Sequence, residues 1–270
     1  MLIGLAAILA ALAPRSHAGS YDDFFKAVKM DRAQVVKSLL QRGLDPNLVE
    51  PERGDTGLIL ALREESMDVF RLLLETPGIS MEARSRNGDN ALMVAAFKNN
   101  KAAVEALLAK GAEVNRTGWT ALHYAAMAGS NEIVQPLLDA SAYIDAESPN
   151  KTTPLMLAAR GGHILTVKLL HDSGADASLK NDLGMTAIDF ARQNEHPDIV
   201  EGLEYRLRKQ ARKEEQASRL AAAKAIARLH QPDNPLPACP SAIPNEDAGF
   251  ISPASARWAA PSEAFQGNPD

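Results

Sequence analysis

Short apolar segments of helical length alternate with polar segments from about Tyr21 to Leu207. The segments come in pairs: an alanine-rich helix such as 121-ALHYAAMA-128 precedes a second helix whose apolar stripe includes a leucine pair. A glycine that can end the second helix follows in three units, at Gly43, Gly111 and Gly174. The pattern predicts a series of helix-turn-helix units, with leucines such as Leu138 and Leu170 in its core.

The units repeat at a nearly constant interval. Aligned segments begin at Thr56, Asn90, Thr120, Thr153 and Thr186, and successive starts differ by 34, 30, 33 and 33 residues. A period of this length is typical of solenoids, in which each unit stacks on its neighbours. The segment 24-FFKAVKMDRAQVVKSLLQRGLDPN-47 has the two helices and the glycine without the threonine motif, so we expect a capping unit there and six units in all.

The repeated unit resembles the ankyrin repeat, whose pattern reads roughly G-x-T-P-L-H-x-A-A-x-x-G-H-x-x-x-V-x-x-L-L-x-x-G-A-D-x-N. Gly161-Gly-His163, Val167, Leu169-Leu170 and 174-GADAS-178 follow Thr153 at matching offsets. The third unit offers Val104, Leu107-Leu108 and 111-GAEVN-115. The resemblance implies an all-α repeat solenoid of helix-turn-helix units with β-hairpin fingers, which acts as an interaction module. The chain is also similar to short, signal-bearing bacterial ankyrin-repeat proteins.

Residue types that recur between the units have structural explanations. A threonine before the first helix is expected to cap it, and alanine pairs such as Ala125-Ala126 let neighbouring helices approach closely. Gly129, Gly162 and Asn99 occupy the turn between the two helices, where a left-handed backbone is expected. His123, the fourth residue of its motif, is expected to form hydrogen bonds within the scaffold, as the resemblance implies.

The first 18 residues read as a signal peptide. The run 2-LIGLAAILAALA-13 is too short to span a membrane as a helix, which needs about 20 residues. Ser16 and Ala18 occupy the small-residue positions of a cleavage site, so cleavage is expected after Ala18, giving a periplasmic or secreted protein. Because no Lys or Arg precedes the run, an uncleaved anchor or a misassigned start are the alternatives.

Two further segments follow the repeat domain, which we place at 21–207. Residues 208–230 are expected to continue the last helix of the repeats as a basic, alanine-rich helix, either a solvated cap or an arm for an anionic lipid, envelope polymer or acidic protein. Eight basic residues lie between Arg206 and Arg228, against Glu214 and Glu215. Residues 231–270 are rich in proline and include Cys239, the one cysteine; this tail is expected to be disordered.

Two irregularities interrupt the repeat. Between Asn115 and Thr120 lie three fewer residues than at the equivalent place in the sixth unit, so this finger should be shortened, with Trp119 and Arg116 accessible in a notch. An aromatic residue beside an arginine is typical of interaction hot spots, although Trp119 could instead pack on the next finger. Pro136 lies within the second helix of the fourth unit, where a bend or an early start is expected.

The sequence favours protein binding over catalysis. No nucleotide-binding motif or metal-ligand spacing is found, so no cofactor and no metal are expected, and a net charge of −5 gives no reason to expect nucleic acid. We expect a monomer that binds an envelope protein; docking by the basic helix is the alternative, and an undetected enzyme the least favoured. The ankyrin pattern places variable contacts at Arg86, Asp89, Phe97, Lys98, Arg116, Trp119, Met127, Asn150, Thr152 and Arg160.

Overall fold

The structure is a computed structural model that describes residues 17–229. This part of the chain contains twelve α-helices, which pair into six successive units. Their bounds are α1 His17–Lys29, α2 Ala33–Gln41, α3 Gly57–Arg63, α4 Met67–Leu74, α5 Ala91–Phe97, α6 Lys101–Ala109, α7 Ala121–Ala128, α8 Asn131–Asp139, α9 Pro154–Arg160, α10 Ile164–Asp172, α11 Ala187–Gln193 and α12 Pro197–Leu229. None of them combines the length and the apolar character that a membrane-crossing helix needs. The predicted all-helical repeat solenoid is confirmed.

The first helix of each unit is called the inner helix here, and in units two to six it begins after a capping residue. The side chains of Thr56, Asn90, Thr153 and Thr186 each accept a hydrogen bond from the backbone N–H three residues later, at 3.0–3.4 Å. Thr120 forms a capping box with His123. Its backbone N–H and its hydroxyl lie 3.1 and 2.9 Å from Nδ1 of His123, so the histidine ring fixes the start of α7.

Alanine pairs lie where the inner helices meet. Helix α7 packs between α5 and α9, and α9 packs against α11. The residues at these contacts are fully buried: Ala95, Ala96, Ala125, Ala126, Ala158 and Ala159. Small side chains permit the close approach, and the inner helices from α1 to α9 each pack both on the second helix of their own unit and on the inner helices of neighbouring units.

In four units the second helix buries one leucine at a fixed place. Leu39, Leu107, Leu137 and Leu170 are each at most 3% exposed. Each lies four residues before a left-handed residue that ends the unit: Gly43, Gly111, Ser141 and Gly174. The expectation that Leu138 belongs to the core is therefore wrong, since Leu138 is only partly buried and Leu137 takes the core position.

The turn between the two helices is left-handed in every unit. Asn99 and Gly129 have φ of 54° and 72°, as the sequence predicts. Three units place charged residues there, at Asp31, Glu65 and Glu195. The sequence pattern did not indicate these three because glycine or asparagine is the usual choice for positive φ.

The fingers, which are the loops that precede the inner helices, are mostly closed by backbone hydrogen bonds but do not form β-strands. Backbone bonds of 2.9–3.1 Å close three of them: Ser85 to Asp89, Ser148 to Thr152 and Asn181 to Met185. Residues 17–229 contain no extended strand, and the one isolated antiparallel bridge in this range joins Val49 to Thr56. The loop before Thr120 is the shortened finger.

Pro136 does not interrupt its helix. Helix α8 spans nine residues, as do α6 and α10, and starts at the equivalent place, so the early start expected from Pro136 is wrong. The backbone continues through it, because the N–H of Ala140 donates to the carbonyl of Pro136 at 3.0 Å.

Helix α12 runs for 33 residues and confirms the predicted C-terminal helix. The chain divides into two compact units at Glu215, and the described part of the second is the end of α12, from Gln216 to Leu229. The predicted signal segment up to residue 16, Cys239 and the predicted disordered tail lie outside the described residues. The predicted domain limits stay predictions.

His123 is a buried part of the scaffold. Its Nε2–H donates to the carbonyl oxygen of Thr152 at 3.0 Å, while Nδ1 accepts from Thr120. Burial lowers the pKa of His123 from 6.5 to about 4, against the opposing effect of the Thr152 carbonyl. The ring is therefore neutral at neutral pH and links α7 to the finger of the next unit.

We predict that His123 makes the fold sensitive to mild acid. Because its pKa is lower in the folded chain, its contribution is complete above pH 6.5 and is lost as the pH falls toward about 4. Between about pH 7 and pH 5 this group alone should remove about 2 kcal/mol from the free energy of unfolding. Urea unfolding at both pH values measures the loss, and His123→Gln should show correspondingly less of it. Equal pH dependence in the two proteins would contradict this role.

We also predict that two adjacent leucines differ in their effect on stability. Leu137→Ala should lower the free energy of unfolding by about 2 to 5 kcal/mol, because it leaves a cavity at a fully buried site. Leu138→Ala is the matched control and should cost clearly less, since its side chain is only partly buried. Denaturant unfolding of both variants tests the assignment; equal losses would refute it.

Candidate protein-binding surface

The ends of the inner helices form a row of equivalent positions. Seven residues after the residue that precedes each inner helix, α3, α5 and α9 end at Arg63, Phe97 and Arg160, and α7 has Met127 one residue before its end. Neighbouring units hold this row in register, because Nε2 of His163 bonds the carbonyl of Met127 and Nε2 of His196 bonds that of Arg160. Side chains at these positions thus come from successive units.

Large apolar side chains are exposed in the middle of this row. Phe97 is 52% exposed, Met127 38% and Trp119, in the shortened finger, 37%. We call Phe97, Trp119 and Met127 the apolar surface. Tyr124 connects two of its members, with ring centroids 5.9 Å from Phe97 and 6.1 Å from Trp119.

Trp119 packs on aromatic rings of its own unit. Its ring meets that of His123 edge to face, with centroids 5.3 Å apart. His123 is held by hydrogen bonds at both ring nitrogens, so Trp119 packs on a rigid side chain, and more than a third of the surface of Trp119 is exposed. The Trp119 side chain is thus packed against the scaffold and exposed to solvent at the same time.

A polar network lies beside the apolar surface. Arg63 contacts the carboxylates of Asp55 and Asp89 at 2.8 and 3.1 Å, and the hydroxyl of Tyr124 donates to Asp89 at 2.7 Å. Burial raises the pKa of Asp55, and the Arg63 guanidinium opposes that rise. Burial is the larger cause that raises the pKa of the Tyr124 hydroxyl, and its hydrogen bond to Asp89 raises this pKa further. Arg63 and Tyr124 were not among the surface residues predicted from the sequence. Arg63 could have been found, because it occupies the same repeat position as Phe97 and Met127.

Three of the ten predicted contact residues are not accessible as expected. Asp89 is buried by its bonds to Arg63 and Tyr124, and Thr152 is buried where its carbonyl accepts from His123.

The side chain of Arg116 is only 8% exposed. Its guanidinium lies 3.3 Å from the Glu82 carboxylate, which also accepts from Asn90 and from the backbone of Glu113. The expectation that Arg116 stands open in a notch beside Trp119 is therefore wrong, because Glu82 holds it against the scaffold.

The other seven predicted residues are exposed. They belong to units three to five and lie either in the fingers or at the ends of the inner helices: Arg86, Phe97, Lys98, Trp119, Met127, Asn150 and Arg160. Lys98 is 3.2 Å from Glu65, and Arg86 donates to the Glu52 carbonyl at 3.1 Å. This arrangement can cover an apolar segment of another molecule and contact its polar groups. Among residues 17–229, no cluster of three His, Cys, Asp or Glu side chains is arranged to hold a metal ion.

Comparisons with known proteins give a consistent result. The chain is 32% identical over 160 residues to the human transient receptor potential cation channel subfamily A member 1, covering 55% of this chain and 14% of that protein. It is 30% identical over 190 residues to protein glp-1 of Caenorhabditis elegans, covering 64% and 15%. The chain thus matches only a small part of these relatives' length.

A solved structure supports the same fold. The crystal structure of the ankyrin repeat domain of Bcl-3, a member of the IkappaB protein family, matches with a TM-score of 0.57 and 31% identity. The match covers 66% of this chain and 81% of that one. The family model for ankyrin repeats matches three times, over residues 24–118, 79–148 and 122–212. With the helix pairs, capped inner helices and left-handed turns described above, these matches show that the chain belongs to the ankyrin repeat family.

Proposed function

We propose that this chain is a non-enzymatic scaffold that binds a protein partner through the apolar surface and the fingers beside it. Ankyrin repeats are protein–protein interaction modules. The observation that carries the proposal is the exposure of Phe97, Trp119 and Met127 together in two successive units. Contiguous exposed apolar side chains among polar neighbours typically mark an interaction site.

The rigidity of Trp119 supports its place at the centre. Its ring rests on His123 and Tyr124, so little side-chain freedom is lost when a partner covers it. Aromatic residues that can be fully desolvated are frequent hot spots, where truncation costs about 2 kcal/mol or more.

Docking through the basic part of α12 is the rival proposal. Two of its cations are engaged within the repeats: Arg206 pairs with Asp172, and Arg208 lies 3.8 Å from Glu204. Lys209, Arg212 and Lys213 are exposed and are the residues on which this rival depends.

We predict that Trp119→Ala abolishes capture of the partner from an envelope extract while far-ultraviolet circular dichroism stays that of a folded helical protein. Tyr143→Ala is the matched control, because Tyr143 is an exposed aromatic residue in the loop after α8 and should leave capture unchanged. Tandem mass spectrometry of the captured proteins measures both.

Two outcomes would count against the apolar surface. Unfolding of the Trp119 variant would show that this residue mainly stabilises the fold; Phe97→Ala, at a more exposed site, then tests binding alone. Loss of capture on neutralising Lys209, Arg212 and Lys213, with Trp119→Ala unaffected, would support the basic helix instead.

We further propose that the chain is exported. The apolar run 2–13 and the small residues Ser16 and Ala18 support a cleaved signal peptide and a periplasmic or secreted location. His17 and Ala18 are the first residues of α1, so cleavage would leave Gly19 as the earliest start of this helix.

Export predicts a mature N-terminus at Gly19. Mass spectrometry of the protein from its native host, after separation of cytoplasm and envelope, identifies the first residue. An intact segment from Met1 to Ala18 in the cytoplasmic fraction would contradict export and leave the binding proposal untouched.

A further inference from the structure

Charge is distributed unevenly between the two sides of units three to five. The fingers and inner helices, residues 86–100, 116–130 and 149–163, hold five basic side chains and one acidic. The second helices and the loops after them, residues 101–115, 131–148 and 164–182, hold four basic and nine acidic. A chain of net charge −5 therefore places a basic region around its apolar surface.

The accessible charged side chains of that region are all basic, because its one acid and one of its five cations are held within the scaffold. Its single acid, Asp89, is buried and bound by Arg63 and Tyr124. Arg116 is likewise held by Glu82, so it adds little to the open surface.

Four basic residues of the region remain exposed. Lys98 has Glu65 at 3.2 Å and Lys151 has Asp182 at 3.9 Å, both through exposed carboxylates that salt and solvent screen. Arg86 bonds only the neutral carbonyl of Glu52, and no carboxylate lies within ion-pair distance of Arg160 among the described residues. Positive charge thus borders the apolar surface on both sides, in units three and five.

We infer that the partner presents an acidic segment with a large apolar side chain at its centre. The apolar side chain would cover Trp119 and Met127, and carboxylates on either side would meet Arg86 and Arg160. Complementary charge of this kind selects a partner and guides its approach, whereas the apolar contact supplies most of the affinity. This inference rests on the proposed function, because it concerns the same surface.

An anionic polymer or membrane is a poorer match to this surface. Either ligand is extended, whereas acidic residues at the margins, Glu64 and Glu65 in unit two and Glu195 in unit six, limit the basic region to about the length of a short peptide segment. A longer anionic surface would therefore meet like charge at both ends of the region.

Three labelled peptides of equal length test the inference with the full chain. The first carries a Phe-Leu pair with two acidic residues on each side; the second replaces the acids by lysine; the third replaces Phe-Leu by Gly-Ser. In fluorescence anisotropy the first should bind at least about tenfold more tightly than either of the others. Raising NaCl from about 50 to about 300 mM should weaken it several-fold.

Charge reversal on the protein provides the matched comparison. Arg160→Glu and Arg86→Glu should each weaken binding of the acidic–apolar peptide by about tenfold. Lys168→Glu, at an exposed site on α10 outside the basic region, should change it less than about twofold.

The outcomes separate this inference from the proposed function. Three results would overturn the inference: equal binding of the acidic and basic peptides, binding of none of the three peptides, or no effect of Arg160→Glu. Each would do so even where Trp119→Ala still abolishes partner capture. The full chain is also tested with single-stranded DNA and with phosphatidylglycerol vesicles. Tight binding that is lost in Arg160→Glu but kept in Trp119→Ala would show an anionic-polymer site instead. Failure of Trp119→Ala to affect either the peptide or the partner would remove both proposals.

Discussion

The close approach of neighbouring inner helices is the constraint on which the structure depends. A single unit has two short helices and cannot bury its apolar surface alone, so each must stack on the next. Alanines such as Ala95, Ala125 and Ala158 make this stacking possible, and all three are fully buried. A larger side chain at these positions would separate the units and expose the leucines of the second helices.

The same stacking explains how a repeated scaffold forms a specific site. Regular spacing brings one side chain from the end of each inner helix into a row, and the fold requires no particular residue there. Phe97 and Met127 take these positions in units three and four, with Arg160 next to them. His123 contributes to both roles, because it fixes the start of α7 and the next finger and also supports the ring of Trp119.

Features set by local sequence were predictable, and those set by contacts between units were less so. The helix pairs, the left-handed Asn99 and the long α12 follow from local spacing and residue type. The burial of Asp89 depends on Arg63, 26 residues earlier, and that of Arg116 on Glu82, 34 residues earlier. A family pattern marks such positions as variable but does not show which side chains another unit will bind, so contacts predicted by position alone were partly wrong.

Footprinting shows whether a bound partner covers the apolar surface. Hydroxyl-radical labelling with mass spectrometry compares side-chain oxidation in the full chain alone and with its captured partner. Phe97, Trp119 and Met127 should be protected in the complex, and exposed Tyr143 should be labelled equally in both states. Unchanged labelling of these three residues, together with protection confined to residues 205–213 of α12, would contradict it.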